Sequence, residues 1–182
     1  MRLPPLPAEE WDDPARAALA GLVPRSRQNP DGAGVALSTM VRHPKLAKAF
    51  LTFSTYLLAY STLPPRVREL AILRVASRCD CAYEWAHHVK AAAELGLSGA
   101  EIEEAGRGRA SRELDTAVLA AVDELNDDST VSDATWRMLG RHLDERQRMD
   151  LVFTIGGYTT MAMAFNTFGI DPAQEGTSHG RD

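Results

Sequence analysis

Residues 63–96 read LPPRVRELAILRVASRCDCAYEWAHHVKAAAELG, and this stretch concentrates the reactive side chains of the chain. It holds both cysteines, Cys79 and Cys81, and the adjacent histidines His87 and His88. An acidic residue, Glu69, lies upstream of them. The rest of the chain is expected to serve mainly as a scaffold around this stretch.

The stretch is predicted to form two helices joined by a short turn. A proline in the first turn of a helix has no hydrogen bond to lose, so Pro64 and Pro65 favour a helix start. Asp80 is expected to cap the second helix, which would run from about Cys81 to Leu95. A short connection between two helices favours an antiparallel pair. The first helix places apolar side chains at helical spacing, at Val67, Leu70, Ile72, Leu73, Val75 and Ala76.

Helical spacing brings the reactive groups together. Cys81, Glu84 and His88 lie at i, i+3 and i+7, which is one stripe along the second helix. Tyr83 shares the neighbouring stripe with His87. Glu69 is near enough to the turn for its carboxylate to face the first stripe across the helix pair. Carboxyl, thiol and imidazole groups that converge between packed helices predict an acid/base site.

These residues carry a resemblance to a known family. Glu69, the run RVRELAILRVA, the triplet Tyr83-Glu84-Trp85, His88 and the following AAAELGLS resemble the carboxymuconolactone decarboxylase and AhpD-like alkylhydroperoxidase superfamily. The resemblance covers roughly residues 40–105 and is looser to about residue 170. It implies an AhpD-like helical bundle that works without metal or other cofactor. It also implies a homo-oligomer, a trimer or a hexamer.

The resemblance departs from the peroxidase branch at one position. That branch carries a Glu, then Cys-x-x-Cys on the second helix, then a His four residues later. Glu69, Cys81 and His88 match three of these positions, but Glu84 stands where the second cysteine belongs. The form Tyr-Glu-Trp-x-x-His resembles another branch, whose substrates are mostly unassigned.

Composition excludes several classes of protein. The chain has 182 residues, a net charge of -5 and a pI near 5.5, which argues against binding nucleic acid. No apolar run reaches the roughly 18 residues that span a bilayer. The first residues, MRLPPLPAEEWDD, have no apolar core of a secretory signal. The sequence therefore predicts a cytoplasmic protein that acts on a small molecule, with no membrane partner.

Outside the central stretch, the sequence predicts helices and no strand, so the fold class is all-α. Residues 1–35 are expected to form an extended arm to residue 13, a short helix over Pro14–Leu22, and a loop over Pro24–Gly34. Asp12 or Asp13 would cap this helix, and Ala17, Leu19 and Leu22 would turn inward. Residues 36–172 would form the helical domain, and 173–182 a frayed tail. Capping boxes at Ser98 and Asp144 predict two of the later helices.

A weak internal repeat is also possible. An offset of 80 residues sets Leu63, Arg66, Arg68 and Ala82 on identical residues, while Glu69 and His88 fall on Met149 and Phe168. The second copy would then lack the candidate acid/base residues.

The two cysteines allow two interpretations, a redox pair or buried apolar side chains. In a helix, side chains two residues apart diverge, so a disulfide between Cys79 and Cys81 needs non-helical backbone. Cys81 would lie near a helix N-terminus, where the helix dipole favours a thiolate. Both residues could instead be small apolar side chains of the core. A zinc site at Cys81, Glu84 and His88, with Glu69 across the pair, lacks the usual ligand spacing.

Three functions remain open at this point. The first is a cofactor-free enzyme that uses Glu69, Glu84 and His88 for acid/base chemistry on a small organic acid or lactone, with Tyr83 as a hydrogen-bond donor. The second is a thiol peroxidase in which Cys81 attacks, Glu69 and His88 relay protons and Cys79 resolves. The third is a non-catalytic binding or assembly protein.

Overall fold

A computed structural model describes residues 1–176 of the chain, with side chains to residue 174. The prediction of an all-α fold is confirmed, since this part of the chain contains helices and no strand. Short 3-10 turns lie at Ala8–Glu10, Arg25–Arg27 and Pro172–Gly176. The α-helices are α1 Asp13–Leu19, α2 Pro30–Met40, α3 Pro44–Thr55, α4 Pro65–Arg78, α5 Ala82–Glu94, α6 Gly99–Gly106, α7 Glu113–Asp128, α8 Asp133–Leu139 and α9 Glu145–Phe168.

The helices pack in two compact units. Within the described residues, 1–60 and 165–176 form the first unit, and Ser61–Ala164 forms the second. The second unit contains the whole of the stretch that the sequence singles out. The domain boundaries expected near residues 35 and 172 stay a prediction, and residues 177–182 of the expected tail lie outside the described part.

Helix α4 is the centre of the second unit, because it packs against α5, α6 and α7. Its Leu70, Ile72 and Leu73 are at most 2% exposed, and complete burial of such a side chain stabilises a fold by about 1.5–3 kcal/mol. Arg74 joins α4 to α7 by donating hydrogen bonds to both carboxylate oxygens of Asp123, at 2.7 and 3.0 Å.

The first turns of α9 are hydrogen-bonded to Thr62, which lies just before α4 in the chain. The carboxylate of Asp150 accepts hydrogen bonds from the backbone N–H and the hydroxyl of Thr62, at 2.6 and 2.7 Å. The predicted capping box at Asp144 is confirmed, since Asp144 and Gln147 exchange backbone and side-chain hydrogen bonds. These contacts fix where α9 begins relative to α4.

The first unit has a smaller apolar core built by α1, α2 and α3. Trp11 is buried in it, and its indole N–H donates to the carbonyl of Leu6 at 3.1 Å. Asp12 caps α1 by accepting from the backbone N–H of Ala15, as one of the two expected caps. The expectation that Leu19 faces inward is confirmed, and Leu22 is partly buried. The same expectation for Ala17 is wrong, because the helix starts at Asp13 and buries Ala15 and Ala18 instead.

The predicted loop over Pro24–Gly34 is wrong at its C-terminal end. Asn29 accepts a hydrogen bond from the backbone N–H of Gly32 and starts helix α2 at Pro30. The helix is interrupted at Gly34, whose φ of 73° is open to glycine at little cost. The two prolines and the glycines therefore mark a cap and a kink rather than one continuous loop.

The turn between α4 and α5 also differs from the prediction in one detail. Asp80 adopts a left-handed conformation, with φ of 49°, so it cannot cap α5. Cys81 occupies the N-cap position, and α5 begins at Ala82. The short turn still yields the expected antiparallel pair. Gly96 follows α5 with φ of 85°, as expected for the residue that ends a helix.

Within residues 1–176, none of the helices is both long and apolar enough to cross a bilayer. On α9, Met163 is exposed and Phe165 is buried. Assembly of the chain into an oligomer stays a prediction.

Substitution Gly96→Ala is expected to lower the free energy of unfolding by about 1–2 kcal/mol, because a Cβ atom disfavours the left-handed conformation. No atom lies within 4 Å of the added Cβ, so backbone strain is the whole cost. Gly99→Ala is the matched control, since Gly99 also lies in open space but has no positive φ. Urea unfolding measures both variants, and equal losses of stability would contradict this explanation.

Candidate active site

Glu69 is an ionisable side chain in the core of the second unit. Its side chain is 1% exposed, and its carboxylate has two charged neighbours. Oε2 lies 2.6 Å from Nδ1 of His88, and Oε1 accepts from Nε of Arg68 at 3.2 Å. A buried carboxylate is costly unless it is paired in this way. The packing of α4 against α5 supplies the pairing.

His88 lies between two carboxylates. While Nδ1 contacts Glu69, Nε2 lies 3.3 Å from Oε2 of Glu84, one turn earlier on α5. Burial alone lowers the pKa of His88, but the hydrogen bonds and charges of Glu69 and Glu84 outweigh burial and raise the pKa to about 9. The imidazole is therefore protonated at neutral pH.

The resulting cluster is balanced in charge. With His88 protonated, the two carboxylates of Glu69 and Glu84 face the imidazolium and the guanidinium of Arg68. Glu84 and His88 are 5% and 8% exposed, so only a narrow edge of the cluster meets solvent. A proton donor and a proton acceptor thus lie next to each other and are largely shielded from solvent.

Cys81 lies at the N-terminus of α5 and is also buried. Burial raises the pKa of the Cys81 thiol and the nearby Glu84 carboxylate adds to the rise, while the backbone N–H groups of Glu84 and Tyr83 oppose it. Cys79 is half-buried, and burial raises the pKa of its thiol as well. Neither thiol is part of a disulfide. The left-handed Asp80 between them meets the requirement for non-helical backbone.

Tyr83 lies on the neighbouring stripe with His87, as the spacing predicts. Their rings stack with centroids 4.3 Å apart at 31°, and Nδ1 of His87 is 2.9 Å from the carbonyl of Tyr83. Tyr83 is buried and His87 is partly buried. In the sequence of α5, Tyr83 precedes Glu84 and His87 precedes His88.

Tyr158, on α9, is a neighbour of the cluster that the sequence did not identify. Its ring meets the ring of His88 edge-on, with centroids 5.1 Å apart at 86°. The sequence contains one indication of this site: Asp150, Thr154 and Tyr158 are spaced four residues apart, which places polar side chains on one face of an otherwise apolar helix. Spacing alone could not show which part of the chain this stripe would face.

The described residues 1–176 contain no group of three or more His, Cys, Asp or Glu side chains arranged to hold a metal ion.

A cavity of about 350 Å³, separate from the cluster of Glu69, Glu84 and His88, opens beside the first turn of α4. Arg66 lines it and forms ion pairs with two other lining residues, Glu101 and Asp115. None of Glu69, Glu84 and His88 lines this cavity.

Comparisons with known proteins identify the family pattern that the central part of the chain carries. Residues 44–127 match the model of the carboxymuconolactone decarboxylase family. Over these residues the match confirms the resemblance to the carboxymuconolactone decarboxylase and AhpD-like superfamily that the sequence motifs predicted. No curated protein matches the chain significantly.

Solved structures with a similar fold come from several bacteria. A peroxidase-related protein with an alkylhydroperoxidase AhpD core from Ralstonia eutropha has a TM-score of 0.75 and 13% identity, with 100% of both chains covered. A putative antioxidant defence protein AhpD from Agrobacterium tumefaciens has a TM-score of 0.66 and 23% identity, covering 71% of this chain and 92% of that one. The debrominase Bmp8 has a TM-score of 0.70 and 18% identity, covering 97% and 95%. At these identities the likeness shows the fold.

The raised pKa of His88 predicts a dependence of stability on pH. A histidine with a pKa near 6.5 in the unfolded chain and about 9 in the fold stabilises the fold fully below pH 6.5. This contribution, about 3 kcal/mol at most, is lost as the pH rises through 9. Urea unfolding from pH 6 to pH 10 should therefore show a steeper loss of stability for the wild type than for His88→Gln.

The control for this measurement is His142→Gln, which removes a surface histidine that also contacts a glutamate, Glu113. It should keep the slope of the wild type. All three proteins carry both thiols, so the titration of Cys79 and Cys81 cancels in the comparison. Equal slopes for wild type and His88→Gln would contradict a protonated, paired His88.

Proposed function

We propose that the protein is a cofactor-free enzyme that transfers protons next to a carbonyl group of a small organic acid or lactone. The observation that carries this proposal is the 2.6 Å contact between His88 and Glu69 inside a buried, charge-balanced cluster. Such a cluster holds a proton donor and a proton acceptor in fixed positions, which is what general acid–base catalysis requires.

Each residue has a distinct role in this proposal. Glu84 is the base that accepts a proton from the carbon next to the carbonyl group. His88, as imidazolium, provides positive charge beside the enolate and returns a proton to it. Glu69 keeps the imidazole oriented and protonated, and Arg68 compensates the charge of Glu69. The 3.3 Å separation of His88 and Glu84 leaves their contact loose enough for a substrate atom to compete for it.

Two reactions fit this set of groups. In an isomerisation, the C–H bond breaks, its proton moves to Glu84, its electron pair passes to the carbonyl oxygen, and a proton returns at a second carbon. In a decarboxylation, the bond to the carboxylate carbon breaks, carbon dioxide leaves, and His88 protonates the enolate that remains. His88 then regains its proton from water. The exposures of 5% for Glu84 and 8% for His88 favour a small substrate.

The similar fold of Bmp8 supports a small ring compound as substrate. A cysteine-to-alanine variant of that debrominase has been solved in complex with 2,3,4-tribromopyrrole. A fold that holds such a ring in one protein offers a suitable frame for a lactone ring in this one.

The test uses α-angelica lactone, whose double bond moves into conjugation when a proton is transferred. Its isomerisation is followed by ultraviolet absorbance, and deuterium uptake by levulinate in heavy water, followed by NMR, tests a keto acid. His88→Gln and Glu84→Gln should each lower the rate by about 10²–10⁴-fold, the usual loss for a general acid or base.

The controls separate proton transfer from thiol chemistry. The double variant with Cys79→Ser and Cys81→Ser should keep the rate of the wild type, as should His142→Gln. Full turnover by His88→Gln on every substrate that the wild type accepts would contradict the proposal.

A thiol peroxidase is the second candidate. Its support is the position of Cys81 at the N-terminus of α5, next to a turn that the left-handed Asp80 makes non-helical. The thiolate of Cys81 would attack a hydroperoxide, releasing an alcohol and leaving a sulfenic acid. Cys79 would then form a disulfide with Cys81 and release water, and an external dithiol would reduce the disulfide. The raised thiol pKa values of both cysteines weigh against this candidate.

A thiol titration before and after addition of cumene hydroperoxide decides between the two candidates. The proton-transfer proposal predicts that the thiol content of wild type and Cys81→Ser changes equally slowly, because the buried thiol stays protonated. Fast loss of thiols in the wild type alone, with recovery on addition of dithiothreitol, would favour the peroxidase.

A further inference from the structure

Tyr158 is the aromatic side chain that α9 places against the cluster. It is 2% exposed, and the edge-on contact with His88 leaves the phenol ring at right angles to the imidazole. The contact uses the ring alone, so the hydroxyl group contributes nothing to it.

The hydroxyl oxygen of Tyr158 is fully buried and has no hydrogen-bond partner among the described side chains and backbone groups. Thr154, one turn earlier on α9, has a hydroxyl in the same condition. Buried donors are almost always paired, so an unpaired donor beside a cluster of charged groups needs an explanation. A ligand that supplies the acceptor is the simplest one.

The surroundings keep this hydroxyl a donor. Burial raises the pKa of the Tyr158 phenol, the carboxylates of Glu84 and Glu69 raise it further, and Arg68 opposes them. Because the phenol stays neutral, its O–H can donate to an oxygen that gains negative charge but cannot itself carry that charge.

We propose that the hydroxyl group of Tyr158 binds the carbonyl oxygen of the substrate and stabilises the negative charge that this oxygen gains when Glu84 removes a proton. This proposal rests on the proton-transfer function. It narrows the substrate to compounds in which a carbonyl or lactone oxygen lies on the α9 side of the His88 ring. Tyr158 then completes the site from α9, as a neutral donor beside the imidazolium of His88.

A structural role for the hydroxyl predicts a different result from a role in binding. Tyr158→Phe keeps the ring and its contact with His88 and removes only the hydroxyl. Because the hydroxyl has no partner within residues 1–176, the urea midpoint of Tyr158→Phe should equal or exceed that of the wild type. A lower midpoint would show that the hydroxyl is bonded within the fold, and would overturn the proposal.

The rate measurement uses α-angelica lactone with wild type, Tyr158→Phe and Thr154→Val. Loss of one donor to a developing oxyanion lowers kcat by about 10²-fold or more, with a smaller change in KM. Tyr158→Phe should show this loss, whereas Thr154→Val, which removes an unpaired hydroxyl from the same helix, should not. Equal losses in the two variants, or no loss in Tyr158→Phe, would overturn the proposal.

A binding measurement keeps the two proposals separable. Tyrosine labelled with ¹³C at Cζ gives four signals in this chain, and the signal missing from Tyr158→Phe is that of Tyr158. Titration with γ-butyrolactone should shift this signal. A shift without turnover of any probe would reject the proton-transfer function and keep the binding role of Tyr158. An unmoved Tyr158 signal would reject the binding role, whatever the rates show.

Discussion

The charge on Glu69 is the constraint on which the rest of the site depends. A carboxylate that is 1% exposed must be matched by positive charge and by hydrogen-bond donors, or the fold loses several kcal/mol. The Nδ1 group of His88 and the guanidinium of Arg68 provide the match. Because Glu84 then approaches the far side of His88, the imidazole is held between two negative groups, and its high pKa follows.

The scaffold makes this arrangement rigid. Helix α4 is buried along most of its length, so Glu69 cannot turn toward solvent without moving Leu70 and Leu73 as well. Asp150 anchors α9 at Thr62, just before α4, and two turns further along α9 presents Tyr158 to His88. Apolar packing thus fixes the positions of polar groups that would otherwise prefer water, which is the condition for preorganised electrostatic catalysis.

Local signals made the helix pair predictable, and long-range contacts explain what was missed. The prolines before α4, the apolar spacing within it and Gly96 after α5 specify the pair, and helical periodicity then places Glu84 and His88 on one stripe. Asp80 misled the prediction because a left-handed turn residue and a helix cap share the same residue preferences. Tyr158 lies 70 residues from His88 in the sequence, and no local pattern tells which face of the bundle α9 will cover. The kink at Gly34 was hidden for a related reason, since a glycine can mark either a loop or a break within a helix.

The most direct test of the account is the protonation state of His88 at neutral pH, read by NMR from ¹⁵N-histidine-labelled protein. The chain has five histidines, and the pair of signals missing from His88→Gln belongs to His88. Our account predicts that both ring nitrogens of His88 carry protons at pH 7, and that Glu69→Gln lowers the pH at which one proton is lost. A neutral imidazole at pH 7, with one nitrogen unprotonated, would contradict the account, because His88 would then be neither the positively charged partner of Glu69 nor a cationic proton donor.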